Sequence, residues 1–112
     1  MMVAERLPVI VRSAETVEGR ARLYRGRRAR GQAAAALRAG TRERLVARLG
    51  IARRAAQDPA VSAEIIRAVA SRTEWDETTI AWALYGPEPA DDAELIRLSD
   101  FLGGLEARVL GT

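Results

Sequence analysis

The stretch GRARLYRGRRARG, residues 19 to 31, places six arginines in thirteen positions and offers only Leu23 and Tyr24 as large apolar groups. No core can absorb such a segment. Each buried guanidinium would need a partner, and too little hydrophobic surface is present to offset the entropy of ordering the chain. Whatever the rest of the molecule builds, this stretch has to lie on its surface or project beyond it.

The flanking residues give the stretch a helical frame. Ser13 reads as an N-cap, and Glu15 and Glu18 fall in the first two turns, where the helix dipole favours acids. Gly19, Gly26 and Gly31 each cost about 1 kcal/mol relative to alanine, whereas QAAAALRAG, residues 32 to 40, is strongly helical. Leu37, Thr41, Leu45 and Leu49 then recur at steps of four and form one apolar stripe. Gly40 marks a candidate kink or break with Thr41 as a second N-cap, and Gly50 is a candidate C-terminal stop. The spacing predicts a long basic helix over 13–50. Ahead of it, residues 1–12 read as extended, because Pro8 disfavours helix at Leu7 and the run VIV prefers β geometry.

Three shorter helices are expected after it. Asp58-Pro59 is a start signal, and Val61, Ile65, Ile66 and Val69 follow on one face to about Ser71. Asp76 caps the next helix, with Trp75 and Ile80 at the spacing of a hydrophobic staple. YGPEP, residues 85 to 89, ends it. Asp91-x-x-Glu94 resembles a capping box, and Leu95, Leu98, Leu102, Leu105 and Val109 follow at alternating steps of three and four, weakened by Gly103-Gly104.

The expected fold class is all-α: a small helical bundle of about four helices with a long, arginine-rich first helix. A chain of 112 residues makes one domain at most. Residues 58–112 should form a three-helix acidic region packed on the C-terminal half of the first helix. Aromatics are only 4% of the chain, so aliphatic residues must fill the core: Leu37, Leu45, Leu49, Ile65, Val69, Ile80, Leu84, Leu95, Leu98 and Leu102. Trp75, Trp82 and Tyr85 are expected to pack against it. The arginine-rich half, having little to bury, should project.

Charge divides the chain. Between Arg12 and Arg54 there are 13 arginines against three acids, whereas from Ala55 onward there are four against 11. All 18 basic residues are arginine, which a G- and C-rich codon usage explains as readily as selection for bidentate contacts. Cysteine and histidine are both absent. No disulfide or thiolate metal site can form, and the commonest general base and neutral metal ligand are missing. Asp76-Glu77 and Asp91-Asp92 stand at helix starts, where acids serve as caps and dipole partners. No catalytic residue, metal or cofactor is expected, and an enzyme is the least favoured class. No run of about 18 apolar residues is present to cross a membrane.

Arg20, Arg22, Arg25, Arg27, Arg28 and Arg30 are the candidate partner- or anion-binding residues. They could meet anionic lipid, an acidic protein or nucleic acid. A helix-turn-helix reading is disfavoured, because its recognition helix would be DETTIAWALY, which leads with two acids and contains no arginine. Duplex binding by six arginines would carry a salt slope near about −5. A self-associating module is a further possibility, with the basic helix lying antiparallel on a partner's acidic half.

Three segments carry a family resemblance: ERLPVIVRSAETVEGRARLYR (residues 5–25), AAALRAGTRERLVARLG (34–50) and ALYGPEPADDAELIRLSDFLGGLE (83–106). They resemble the C-terminal tail of an uncharacterised actinobacterial membrane-protein family, in which a transmembrane helix precedes a "PLPVVVRAAETVEGRARLYR"-like start and a "YGPPPADDAALVRLA"-like segment. The chain departs from that pattern in GPEP for GPPP and in IARRAAQDPAV, residues 51 to 61. The resemblance implies a cytoplasmic domain of a membrane-anchored protein, with residues 1–12 beside the membrane and one of the doubled methionines an added start. It also implies a protein partner, a MoxR-type AAA+ ATPase encoded beside such proteins or that ATPase's companion. A basic segment just inside the bilayer suits the positive-inside rule.

Overall fold

The computed structural model describes residues 16–111, so the extended reading of residues 1–12 and the proposed cap at Ser13 lie outside the described residues. Among the described residues there are four α-helices: α1 (Val17–Leu49), α2 (Ser62–Ser71), α3 (Glu77–Tyr85) and α4 (Asp92–Leu110). Two single 3₁₀ turns, Arg53–Ala55 and Pro59–Val61, carry the chain from α1 to α2. No strand occurs among the described residues. The all-α expectation holds, with a long first helix against which the other three pack.

α1 contains 33 residues and is about 50 Å long at 1.5 Å per residue. The Thr16 hydroxyl opens it by accepting from the Gly19 N–H at 3.0 Å. Gly50 closes it in the left-handed region, φ 76°, which a side chain would strain. The helix runs through Gly40 and Thr41 without interruption. Thr41 therefore starts nothing; its hydroxyl instead donates to Glu106 Oε2 of α4 at 2.8 Å.

The buried face of α1 is narrower and more polar than its leucines suggest. Gly31, Ala34, Arg38, Thr41 and Leu45 are buried at steps of three and four, together with Val46. Leu37 and Leu49 sit half-buried at the margins of that seam. α4 is the main partner of α1, and it buries Leu98, Leu102, Leu105 and Val109, with Leu95 half-buried. Ile65 and Val69 of α2 and Ile80, Ala83 and Leu84 of α3 complete the core, joined by Ala56 from the α1–α2 connection. Phe101 ties in the tryptophans, its ring centroid 4.8 Å from Trp75 and 5.6 Å from Trp82. Trp82 is 39% exposed, so it edges the core rather than filling it.

Local signals set the short helices. Asp76 Oδ1 accepts from the Thr79 N–H at 2.8 Å, and Asp91 Oδ1 accepts from Glu94 at 2.8 Å. Glu94 reaches back to the N–H of Ala90 at 3.1 Å, one residue earlier than a standard capping box would place it. Asp58 Oδ1 accepts from Ala60 at 2.9 Å, so the Asp-Pro signal begins a 3₁₀ turn and α2 starts at Ser62.

A charged cluster lies midway along the α1–α4 seam. Arg44 grips Glu106 with two hydrogen bonds, Nε to Oε1 at 2.7 Å and Nη2 to Oε2 at 2.8 Å. These bonds hold the Glu106 carboxyl below its usual range; partial burial opposes the shift and Thr41 assists it. A carboxyl depressed in the folded state stabilises the fold above its unfolded value of about 4.3, and that contribution is lost as pH falls through the folded value. Between about pH 5 and 3, denaturation midpoints of the wild type should therefore fall more steeply than those of Glu106→Gln, which keeps an acceptor for Thr41.

Two glycines should respond in opposite directions. A Cβ at Gly86 would lie 2.5 Å from the Trp82 carbonyl oxygen, so Gly86→Ala must shift backbone and should destabilise by about 1–3 kcal/mol. Gly103 lies exposed within α4 with nothing near its missing Cβ. Gly103→Ala should stabilise by roughly 0.5–1 kcal/mol. Urea denaturation of both variants measures the contrast.

Candidate functional site

The arginines of α1 fall into two groups, separated near Gly31. From Arg30 onward every arginine of α1 has a bond within the fold. Arg30 is half-buried and donates to the Pro89 carbonyl at 3.4 Å, to the Ala90 carbonyl at 3.1 Å and to Asp92 Oδ1 at 3.2 Å. Arg48 donates to the Leu110 carbonyl at 2.9 Å, at the C-terminal end of α4.

Arg38 is the most deeply placed, only 6% exposed. Its Nε donates to the Ala83 carbonyl at 2.9 Å, Nη2 to Trp82 at 2.9 Å and Nη1 to Pro87 at 3.0 Å. The first two acceptors belong to the last turn of α3, at the negative end of the helix dipole; Trp82 also accepts from the Gly86 N–H at 3.0 Å, whereas Ala83 has no N–H four residues on, because that residue is Pro87. No carboxylate pairs with Arg38 among the described residues. Burial, and then the neighbouring charge of Arg42, lowers its pKa from the ordinary arginine value.

Arg42 extends the same clamp by one turn. It donates to the Leu84 carbonyl and, through Nε and Nη2, to Gln57 Oε1 at 2.9 and 2.6 Å. Gln57 returns a bond to the Ala39 carbonyl at 3.0 Å. The Arg42 guanidinium also lies 4.8 Å from the centre of the Tyr85 ring. Thus Arg30, Arg38 and Arg42 hold the end of α3 and the Gly86–Asp91 connection against α1. Their backbone partners are invisible to charge counting. The sequence-level clue to Arg38 is its place at the i+4 and i−3 steps between Ala34 and Thr41 on the buried face.

Arg22, Arg25, Arg27 and Arg28 are exposed, and none has a hydrogen bond or ion pair among the described residues. Arg20 is exposed and belongs to the same stretch. At about 100° per residue these side chains spread around the whole helix instead of forming one stripe. Leu23 and Tyr24 are 61% and 58% exposed. Every residue from Arg22 to Ala29 is exposed, so this part of α1 is an arm about 12 Å long without a packed neighbour among the described residues. Of the six candidate residues, Arg22, Arg25, Arg27 and Arg28 are unpaired among the described residues, Arg20 is exposed beside them, and Arg30 is committed to the fold.

Among the described residues no group of acids could hold a metal ion, and no helix is long and apolar enough to cross a membrane. What the arm presents is unpaired, multidirectional positive charge.

The chain is 47% identical over 108 residues to the uncharacterized membrane protein Rv3691 of Mycobacterium tuberculosis, across 96% of this chain and 27% of that protein. The chain therefore spans about a quarter of the length of the curated relative it matches. This similarity agrees with the resemblance to an actinobacterial membrane-protein family. No family model matches the chain, and no solved structure matches it.

The two arginine groups should separate in stability measurements. Arg38→Met leaves buried carbonyls without a donor and should cost about 2–4 kcal/mol. Arg25→Gln and Arg27→Gln should stay within about 0.5 kcal/mol of wild type. Urea midpoints of the three variants provide the comparison.

Proposed function

We propose that this chain is a non-enzymatic interaction domain on the cytoplasmic side of a membrane-anchored protein, with the arginine arm as its docking element. One observation carries the reading. The fold gives every α1 arginine from Arg30 onward a partner, yet among the described residues Arg22, Arg25, Arg27 and Arg28 are unpaired and their arm has no packed neighbour. Arm charges that do nothing for the fold are available to an external anionic partner, where they steer association and fix register.

The proposed partner is a MoxR-type AAA+ ATPase, as the family resemblance implies, with anionic lipid headgroups beside the anchor as a secondary contact. The membrane-protein relative supports the anchored setting. The spread of charge around the arm favours a concave acidic partner over a flat one, because a plane meets only one side of a helix. The same spread leaves no apolar face for the arm to lie in a bilayer interface.

The test is size-exclusion chromatography with light scattering of the chain mixed with the ATPase encoded beside it, with and without ATP. A complex is expected in at least one nucleotide state, weakened about tenfold or more by the pair Arg27→Glu and Arg28→Glu. If neither state gives a complex, the ATPase partnership is wrong. Tight duplex-DNA binding with a salt slope of about −3 to −4 would instead assign the arm to nucleic acid.

A further inference from the structure

A cavity of about 290 Å³ opens between α1 and the end of α3, lined by Gly31, Ala34, Arg38, Arg42, Tyr85 and Glu88 among others. It is separate from the arm, and its lining has an unusual charge balance. Two guanidiniums face a shared space, and among the described residues no carboxylate is bonded to either. Their neutralisation comes only from backbone and amide oxygens. A guanidinium carries five N–H donors. Arg38 uses its three nitrogens once each, and so does Arg42. By count, each retains unbonded N–H groups.

Two further features point the same way. The Tyr85 hydroxyl is buried without a hydrogen-bond partner, although a buried hydroxyl ordinarily has one. Glu88 is the one acid of the lining. It lays its carboxylate against bare backbone, so that a Cβ at Gly31 would lie 2.6 Å from Glu88 Oε2. It makes no ion pair, and it sits on the flexible end of an exposed side chain.

We propose that this cavity binds a small phosphate-class oxyanion, inorganic phosphate or a compact phosphomonoester, held by Arg38, Arg42 and the Tyr85 hydroxyl after Glu88 swings aside. The donor set selects phosphate over carboxylate. A carboxylate satisfies one guanidinium fork, whereas the three free oxygens of a phosphomonoester can meet two forks and a hydroxyl. A dianion also balances the two cations once Glu88 has withdrawn. The volume exceeds the roughly 30 Å³ share of one water several times over, leaving room for a small organic group.

The test is a titration of the full chain with inorganic phosphate at constant ionic strength, read by ¹⁵N NMR at the amides of Gly31 and Gly86. These two residues line the cavity and lie off the arm, so charge screening at the arm does not enter the readout. Saturable shifts at both amides are expected. Tyr85→Phe should weaken binding about fivefold or more, and Glu88→Gln should tighten it about two- to fivefold. Tyr85→Phe removes only an unpartnered oxygen, so its thermal melt should match wild type and a loss of binding cannot be laid to unfolding. Acetate should produce shifts at least about tenfold weaker. Equal response to acetate, linear shifts without saturation, or indifference to both variants would each overturn the proposal.

Discussion

The arrangement of this molecule depends on one buried cation. Arg38 reaches from the middle of α1 into the end of α3 and takes hold of the Trp82, Ala83 and Pro87 carbonyls. A short helix of nine residues ends there, and its Ala83 carbonyl, which Pro87 cannot serve, would otherwise be left without a donor. The guanidinium supplies both the donors and the positive charge that the helix end favours. Desolvating it is costly, which explains why so many oxygens are gathered around it. Gly86 lets the chain pass close enough for this contact, since a Cβ there would meet both the Trp82 carbonyl and Arg38 Nη2.

From that contact the rest of the architecture follows in order. α3 is fixed to α1, so the Gly86–Asp91 connection must run along α1 towards Gly31, where Arg30 catches Pro89, Ala90 and Asp92. α4 then begins beside Arg30 and returns along α1, past Thr41 and Arg44 at Glu106 and on to Arg48 at Leu110. The bonds from α1 to the other described helices extend as far towards its N-terminus as Arg30, and beyond the exposed Arg22–Ala29 stretch Gly19 is again buried. What lies between Arg22 and Ala29 therefore has no structural task in the described fold, and its guanidiniums remain available to a partner.

Much of this was legible in the sequence, though unevenly. Seven of the ten expected core residues are fully buried, and the other three, Leu37, Leu49 and Leu95, pack at the edge. Capping chemistry located the starts of α3 and α4 because Asp76 and Asp91 act through local hydrogen bonds. The projection of the arm followed from its lack of apolar groups. The inner arginines were harder. Arg38 and Arg42 bind backbone carbonyls far away in sequence, and no pairing rule links Arg38 to Ala83. Arg30 looked like the last of the exposed set because its neighbours in sequence are exposed; the returning connection, a tertiary event, buries it. The break considered at Gly40 does not occur, because α4 packs along both sides of that point and continuity of α1 is worth more than the cost of one glycine.

Amide hydrogen exchange along α1 measures the division most directly. Exchange reports the local stability of each backbone hydrogen bond. The account predicts a steep change near Gly31: amides between Leu23 and Ala29 should exchange quickly by fraying, and those from Ala34 to Val46 only on global unfolding. Uniformly slow exchange from Leu23 through Val46 would contradict it, because the arm would then be held by packing that the arrangement of its arginines does not provide.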